Sequence, residues 1–120
     1  MEEIIMDESI LVSIKKILGI SYEYDVFDQD LIIHINTVLM ILNQMGIGKN
    51  GFMIHDDSST WRDFLGDANL NMNAVITWTA LKVRMIFDPP ITSAIAEAIN
   101  SNLRELEWRI YITENYVGEI

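Results

Sequence analysis

The stretch from Ala74 to Phe87 constrains the fold of this chain more than any other. Its apolar residues (Ala74, Val75, Ile76, Trp78, Ala80, Leu81, Val83, Met85, Ile86 and Phe87) fall nearly all round a helical wheel. A helix with one apolar stripe lies on a surface, whereas one that is apolar on most sides must be covered on most sides. A helix over about residues 71–87 is therefore expected at the centre of a bundle. Pro89 and Pro90 forbid its continuation, and Asp88, which precedes a proline, leaves the α region.

Three further helices are expected around it. The first covers about residues 9–18, with Asp7 as its N-cap and Ile10, Ile14, Ile17 and Leu18 repeating at helical spacing. Lys15 and Lys16 fall off that stripe, in a last turn whose dipole favours cations, and Gly19 ends the helix. In the connector that follows, Tyr22, Tyr24 and Phe27 can pack back on the helices. The second helix covers about residues 28–45, with Asp28 and Asp30 in the first turn. Leu31, Ile35, Val38, Leu42 and Met45 form its stripe, and Ile32, Ile33, Leu39, Met40 and Ile41 widen it. So wide a face needs partners on two sides. The last helix runs from a Thr92 N-cap to about Thr113, with Ile95, Ile99, Leu103, Leu106 and Ile110 inward. Glu105 and Arg109 form an i,i+4 pair on its solvent side, and Trp108 lies off the stripe.

Between the second helix and the central one lies a loop, residues 46–60, with three glycines and a turn-favouring Asn50-Gly51 pair. Phe52-Met53-Ile54 can form a short strand. Thr60-Trp61-Arg62-Asp63 resembles a capping box and opens a short helical turn that Gly66 ends, with Trp61 and Phe64 or Leu65 inward. The expected fold is all-α: a compact bundle of four main helices with one long central loop and a short extra helical turn, a single domain over residues 1–120.

Composition narrows function mainly by exclusion. Eighteen acids against eight bases give a formal net charge of −10. Nucleic-acid binders gain affinity by neutralising phosphates, so a tight DNA- or RNA-binding surface is not expected. There is no cysteine, hence no disulfide and no thiolate metal site. No apolar run approaches the roughly 20 residues of a membrane span, and the acidic N-terminus lacks a signal-peptide pattern. The acids are scattered, with no catalytic pairing, so no catalytic residues and no cofactor are expected. His34 lies on the polar side of the second helix. His55-Asp56-Asp57 lacks the ligand spacing of a calcium loop, so no metal is expected. Gly46-x-Gly48-x-x-Gly51 follows a helix rather than a strand, the wrong setting for a dinucleotide fingerprint. Trp61, Trp78 and Trp108 read as core or protein-interface aromatics, because their neighbours are mostly neutral or acidic, whereas base-stacking aromatics are interleaved with basic residues.

Four stretches resemble the head–tail connector adaptors of long-tailed phages, the head-completion family. SIKKILGI leads through YDVFDQD (residues 24–30) into LIIHINTVLMILNQMGIG. STWRDFLG (59–66), TALKVRMIFDPP (79–90) and LRELEWR (103–109) follow in order, so the likeness spans nearly the whole chain. The resemblance implies an all-helical, non-enzymatic subunit of a homo-oligomeric ring, twelve copies in the virion neck, made in the host cytoplasm. It also implies a portal protein on one side, a stopper or tail-completion protein on the other, and double-stranded DNA passing through the lumen without specific binding. On that picture Trp108, Tyr111 and Tyr116 are candidates for docking on the portal. Lys49, Asp56 and Asp57 in the loop are candidates for facing the lumen or the next ring. Two other readings fit the charge or the size: an acidic DNA-mimic inhibitor, and a small helical regulatory protein.

Overall fold

The structure, a computed structural model, describes residues 7–67 and 72–116, with side chains as far as Ile112. It contains α1 (Ile10–Leu18), α2 (Asp28–Gln44), α3 (Trp61–Leu65), α4 (Met72–Phe87) and α5 (Ser93–Tyr116). The described residues form no strand, only an isolated antiparallel bridge between Ser9 and Thr60. The all-α bundle expected from periodicity is the one observed.

Helix α4 is the centre. It packs against α1, α2 and α5. Val75, Ile76, Trp78, Thr79, Ala80 and Val83 are buried, on several sides of the helix. The buried Thr79 hydroxyl donates back to the Val75 carbonyl at 2.8 Å, so it brings no unsatisfied group into the core. Trp78 places its indole N–H 3.0 Å from Glu107 Oε2 and so ties α4 to α5. Burial on α5 begins at Ile99 and continues through Leu103 and Ile110. Ile95, expected inward, is half exposed, because it lies in the first turn beside the fully exposed Ile91.

The helix ends follow local chemistry. The N-cap of α1 is Ser9, not the expected Asp7: its hydroxyl accepts from the Val12 amide at 3.2 Å. The cause lies in α3, since Ile10 N–H donates to Ser59 C=O at 2.9 Å and Trp61 N–H to Glu8 C=O at 3.2 Å, which fixes the chain at Ser9. Asp7 instead accepts from Arg62 at 2.8 Å. Gly19 stops α1 at φ 79°, with its own amide and that of Ile20 returning to the last-turn carbonyls. The capping box of α3 is complete: Thr60 accepts from the Asp63 amide and Asp63 from the Thr60 amide. Trp61 and Phe64 point inward as expected, and the Trp61 indole donates to the buried Ser13 hydroxyl at 2.8 Å.

Lys15 departs furthest from expectation. Read from the sequence as a last-turn surface cation, it is only 1 % exposed. Its ammonium donates to the carbonyls of Tyr22 and Tyr24 at 3.1 and 2.9 Å and lies 2.8 Å from Asp28 Oδ1. That oxygen makes no hydrogen bond of good geometry and is held by the charge of the ammonium. The connector of residues 21–27 folds over the lysine as a strap, and a buried charge persists when it is both paired and hydrogen-bonded. Ile17, expected on the inward stripe, is exposed at the mouth of a cleft of about 250 Å³ beside Trp61 and the start of α4. Periodicity assigns a residue to a face but does not supply the neighbour that covers it.

Replacing Lys15 by alanine strands the Asp28 carboxylate and two strap carbonyls. Because Asp28 keeps some solvent contact, the loss is expected at the lower end for a broken buried pair, about 3 kcal/mol. Urea unfolding of Lys15→Ala against the parent measures it, and a change below about 1 kcal/mol would contradict the latch.

Candidate interface surfaces

The central loop is bound to α2 by two asparagines. Asn36 donates to the Ile54 carbonyl at 2.9 Å and accepts from the Ile54 amide at 2.8 Å. Its side chain thus satisfies both backbone groups that a strand partner would have satisfied, which is why residues 52–54 form no strand. One turn pair further along, Asn43 donates to the carbonyls of Ile47 and Lys49 at 2.8 and 3.1 Å and accepts from the Gly51 amide. At Gly48, with φ +81°, a Cβ would overlap the Phe64 ring, so only glycine lets the loop lie on α3.

Held in this way, the loop and the outer face of α2 enclose a groove of about 650 Å³. Ile33, Met40 and Met53 are its apolar surface, at 62, 51 and 54 % exposure. Ile33 and Met40 were expected to widen the buried stripe of α2. They point away from α4 instead, because α4 and α1 cover only the Leu31, Ile35, Val38 and Leu42 side. Around them stand Asn36, Thr37, Asn43, Gln44 and Asn50, and none of the described residues lining the groove is charged.

A second surface lies on α5. Trp108 and Tyr111 are 57 and 46 % exposed and stack with ring centroids 6.0 Å apart and planes 18° from parallel. Tyr116 ends the helix, and its side chain lies outside the described residues. Beside the ridge, Glu105 accepts from Arg109 at 2.8 Å as the i,i+4 spacing predicts.

A third surface is acidic. The strap carries Glu23 and Asp25, and the loop carries Asp56 and Asp57. The Tyr22 hydroxyl donates to Asp57 Oδ2 at 3.1 Å and joins the two segments into one edge. Asp56 accepts from both the amide and the hydroxyl of Ser58, at 2.9 and 2.6 Å, and these bonds hold its carboxyl below the usual range. Of the loop residues singled out in the sequence, Asp56 and Asp57 therefore share this edge. Lys49 is exposed elsewhere, at the α3 side of the loop, with its amide bonded to the Phe64 carbonyl.

Among the described residues no three His, Cys, Asp or Glu side chains converge as a metal site would require. The His34 ring sits 6.3 Å from that of Phe87, and His55 is exposed. The acidic edge was only half legible in the sequence: the loop acids were visible, but the strap acids were not connected to them until Tyr22 bridged the two. The groove was missed altogether, since Ile33 and Met40 look like core residues by spacing.

The hydrogen bond to Asp57 raises the Tyr22 pKa above the ordinary value of about 10. A raised pKa means that the tether is complete below the unfolded value and is lost as pH rises through the folded one. Absorbance titration near 295 nm is expected to show a late-titrating tyrosine component that shifts to lower pH in Asp57→Asn.

No curated protein and no solved structure matches the chain. A family model described as phage connector protein matches residues 10–117, which takes in all five helices and each surface described above. The chain therefore belongs to the phage connector protein family, a virion component with a head–tail connector role.

Proposed function

We propose that this chain is the subunit of a closed ring that sits between the portal and the next neck component, with double-stranded DNA crossing its lumen. The role is structural and not catalytic. The observation that carries the reading is the segregation of the surface. An uncharged apolar groove stands on α2 and an exposed aromatic pair on α5 beside the Glu105–Arg109 ion pair, while the strap and loop gather four of the acids along one edge. Apolar faces suit subunit contacts. An acidic edge suits a channel wall, because phosphate is repelled there and a moving duplex gains no affinity from it.

In this arrangement Asp56 and Asp57, with Glu23 and Asp25, face the lumen. Lys49 lies toward the next ring. The end of α5 that carries Tyr116 faces the portal. Trp108 and Tyr111 stand roughly one and a half to two turns before that end, on the flank of the helix.

Mass measurement in solution, alone and with purified portal protein, tests the ring. Discrete large oligomers, or oligomers that appear when portal is added, are expected. A chain that stays monomeric in both conditions would sink the proposal and favour a DNA-mimic or regulatory role. Asp56→Lys with Asp57→Lys tests the lumen assignment. Particles carrying both are expected to eject DNA more slowly, and unchanged ejection would move the edge away from the channel.

A further inference from the structure

The groove on α2 and the ridge on α5 have complementary chemistry, and they do not meet within one chain. The two helices each pack on α4, and no described side chain of α5 lines the groove. We propose that the Trp108–Tyr111 ridge of one copy seats in the α2–loop groove of the next. This pairing rests on the ring reading and names its lateral contact.

Four observations support a second copy as the occupant. The first is shape held in advance: Asn36 and Asn43 fix the loop against α2, so the groove exists before anything binds and little ordering is needed on association. The ridge is likewise preassembled by its ring stacking on a helix.

The second is contact chemistry. Met40 and Met53 present thioethers, which make favourable edge and face contacts with aromatic rings. Tryptophan, tyrosine and methionine are the side chains enriched at the cores of protein interfaces, and tryptophan and tyrosine dominate their energetics. The asparagine, glutamine and threonine side chains around the groove supply the polar rim that such cores have.

The third is charge. Two copies at −10 each repel at most orientations. An uncharged groove is a place where one copy can approach another without burying an unpaired carboxylate. Glu105 and Glu107 flank the ridge in sequence and are already held within the chain. Glu105 is neutralised by Arg109, and Glu107 is held 3.0 Å from the Trp78 indole nitrogen, so neither brings a loose acid to the rim.

The fourth is topology. Groove and ridge are different patches, so the contact is heterologous: each copy that uses its ridge leaves its groove open for another. Such contacts propagate head to tail until the rotation closes.

The chain has no cysteine, which makes directed crosslinking clean. A Thr37→Cys, Arg104→Cys double variant, with one thiol at the groove rim and the other one turn from Trp108, treated with a short bismaleimide is expected to give a ladder of trimers and larger species. Each single variant gives dimers at most. Met40→Lys alone is expected to weaken self-association about thirtyfold or more, as loss of an interface hot spot does. Its melting temperature should stay at the parent value, because the side chain is half exposed. If the parent forms rings but the double variant gives no ladder, the pairing is wrong while the ring stands. If the parent assembles neither alone nor on portal, both readings fall. Parent-like oligomers in Trp108→Ala with lost portal capture would assign the ridge to the portal and overturn the pairing.

Discussion

Burial of α4 is the constraint on which the rest of the structure depends. A helix apolar on most of its circumference cannot rest on a single neighbour without leaving a large apolar area in water. Here α1, α2 and α5 surround it. That arrangement uses up the inward faces of all three. Whatever apolar surface remains on them then points outward, as Ile33 and Met40 do on α2 and Trp108 does on α5. The outward surfaces follow from the central helix: a chain half composed of hydrophobic residues has more of them than one small core can cover.

The irregular segments are as well determined as the helices, by a few polar side chains that act on backbone. Lys15 gathers two strap carbonyls and the first carboxylate of α2. Asn36 and Asn43 grip the central loop. The Tyr22–Asp57 bond then joins strap to loop. Each of these contacts satisfies groups that an unstructured segment would leave to water, and together they place the strap acids beside the loop acids.

Much of the helical framework was legible because it rests on local signals. Proline pairs, glycine stops, a complete capping box and 3.6-residue periodicity act within a few residues of where they are written. Less legible were features set by distant partners. Lys15 looks like a surface cation until the strap folds over it. Ser9 displaces Asp7 as a cap because residues 59 and 61 hold the chain there. Ile17, Ile33, Met40 and Ile95 match a helical stripe, yet each is about half exposed or more. The candidate surfaces were correspondingly harder to see than the core. Trp108 could be placed off the stripe of its own helix. The groove needed Asn36 to bring Ile54 and Met53 to α2 from 18 and 17 positions away in sequence.

The same imbalance bears on how a strongly acidic chain can associate with copies of itself. Long-range repulsion opposes contact and is screened beyond roughly 8 Å at physiological salt. A patch without charges, framed by neutral polar side chains, lowers the local cost of approach. Four of the acids, Glu23, Asp25, Asp56 and Asp57, lie off that patch on the strap–loop edge. In the proposed ring, a neutral groove beside an edge that holds four acids would separate two conflicting requirements: cohesion between subunits, and indifference to the polyanion that crosses it. In this chain the separation is achieved by geometry, through the side chains that position strap and loop, and not by any change in overall composition.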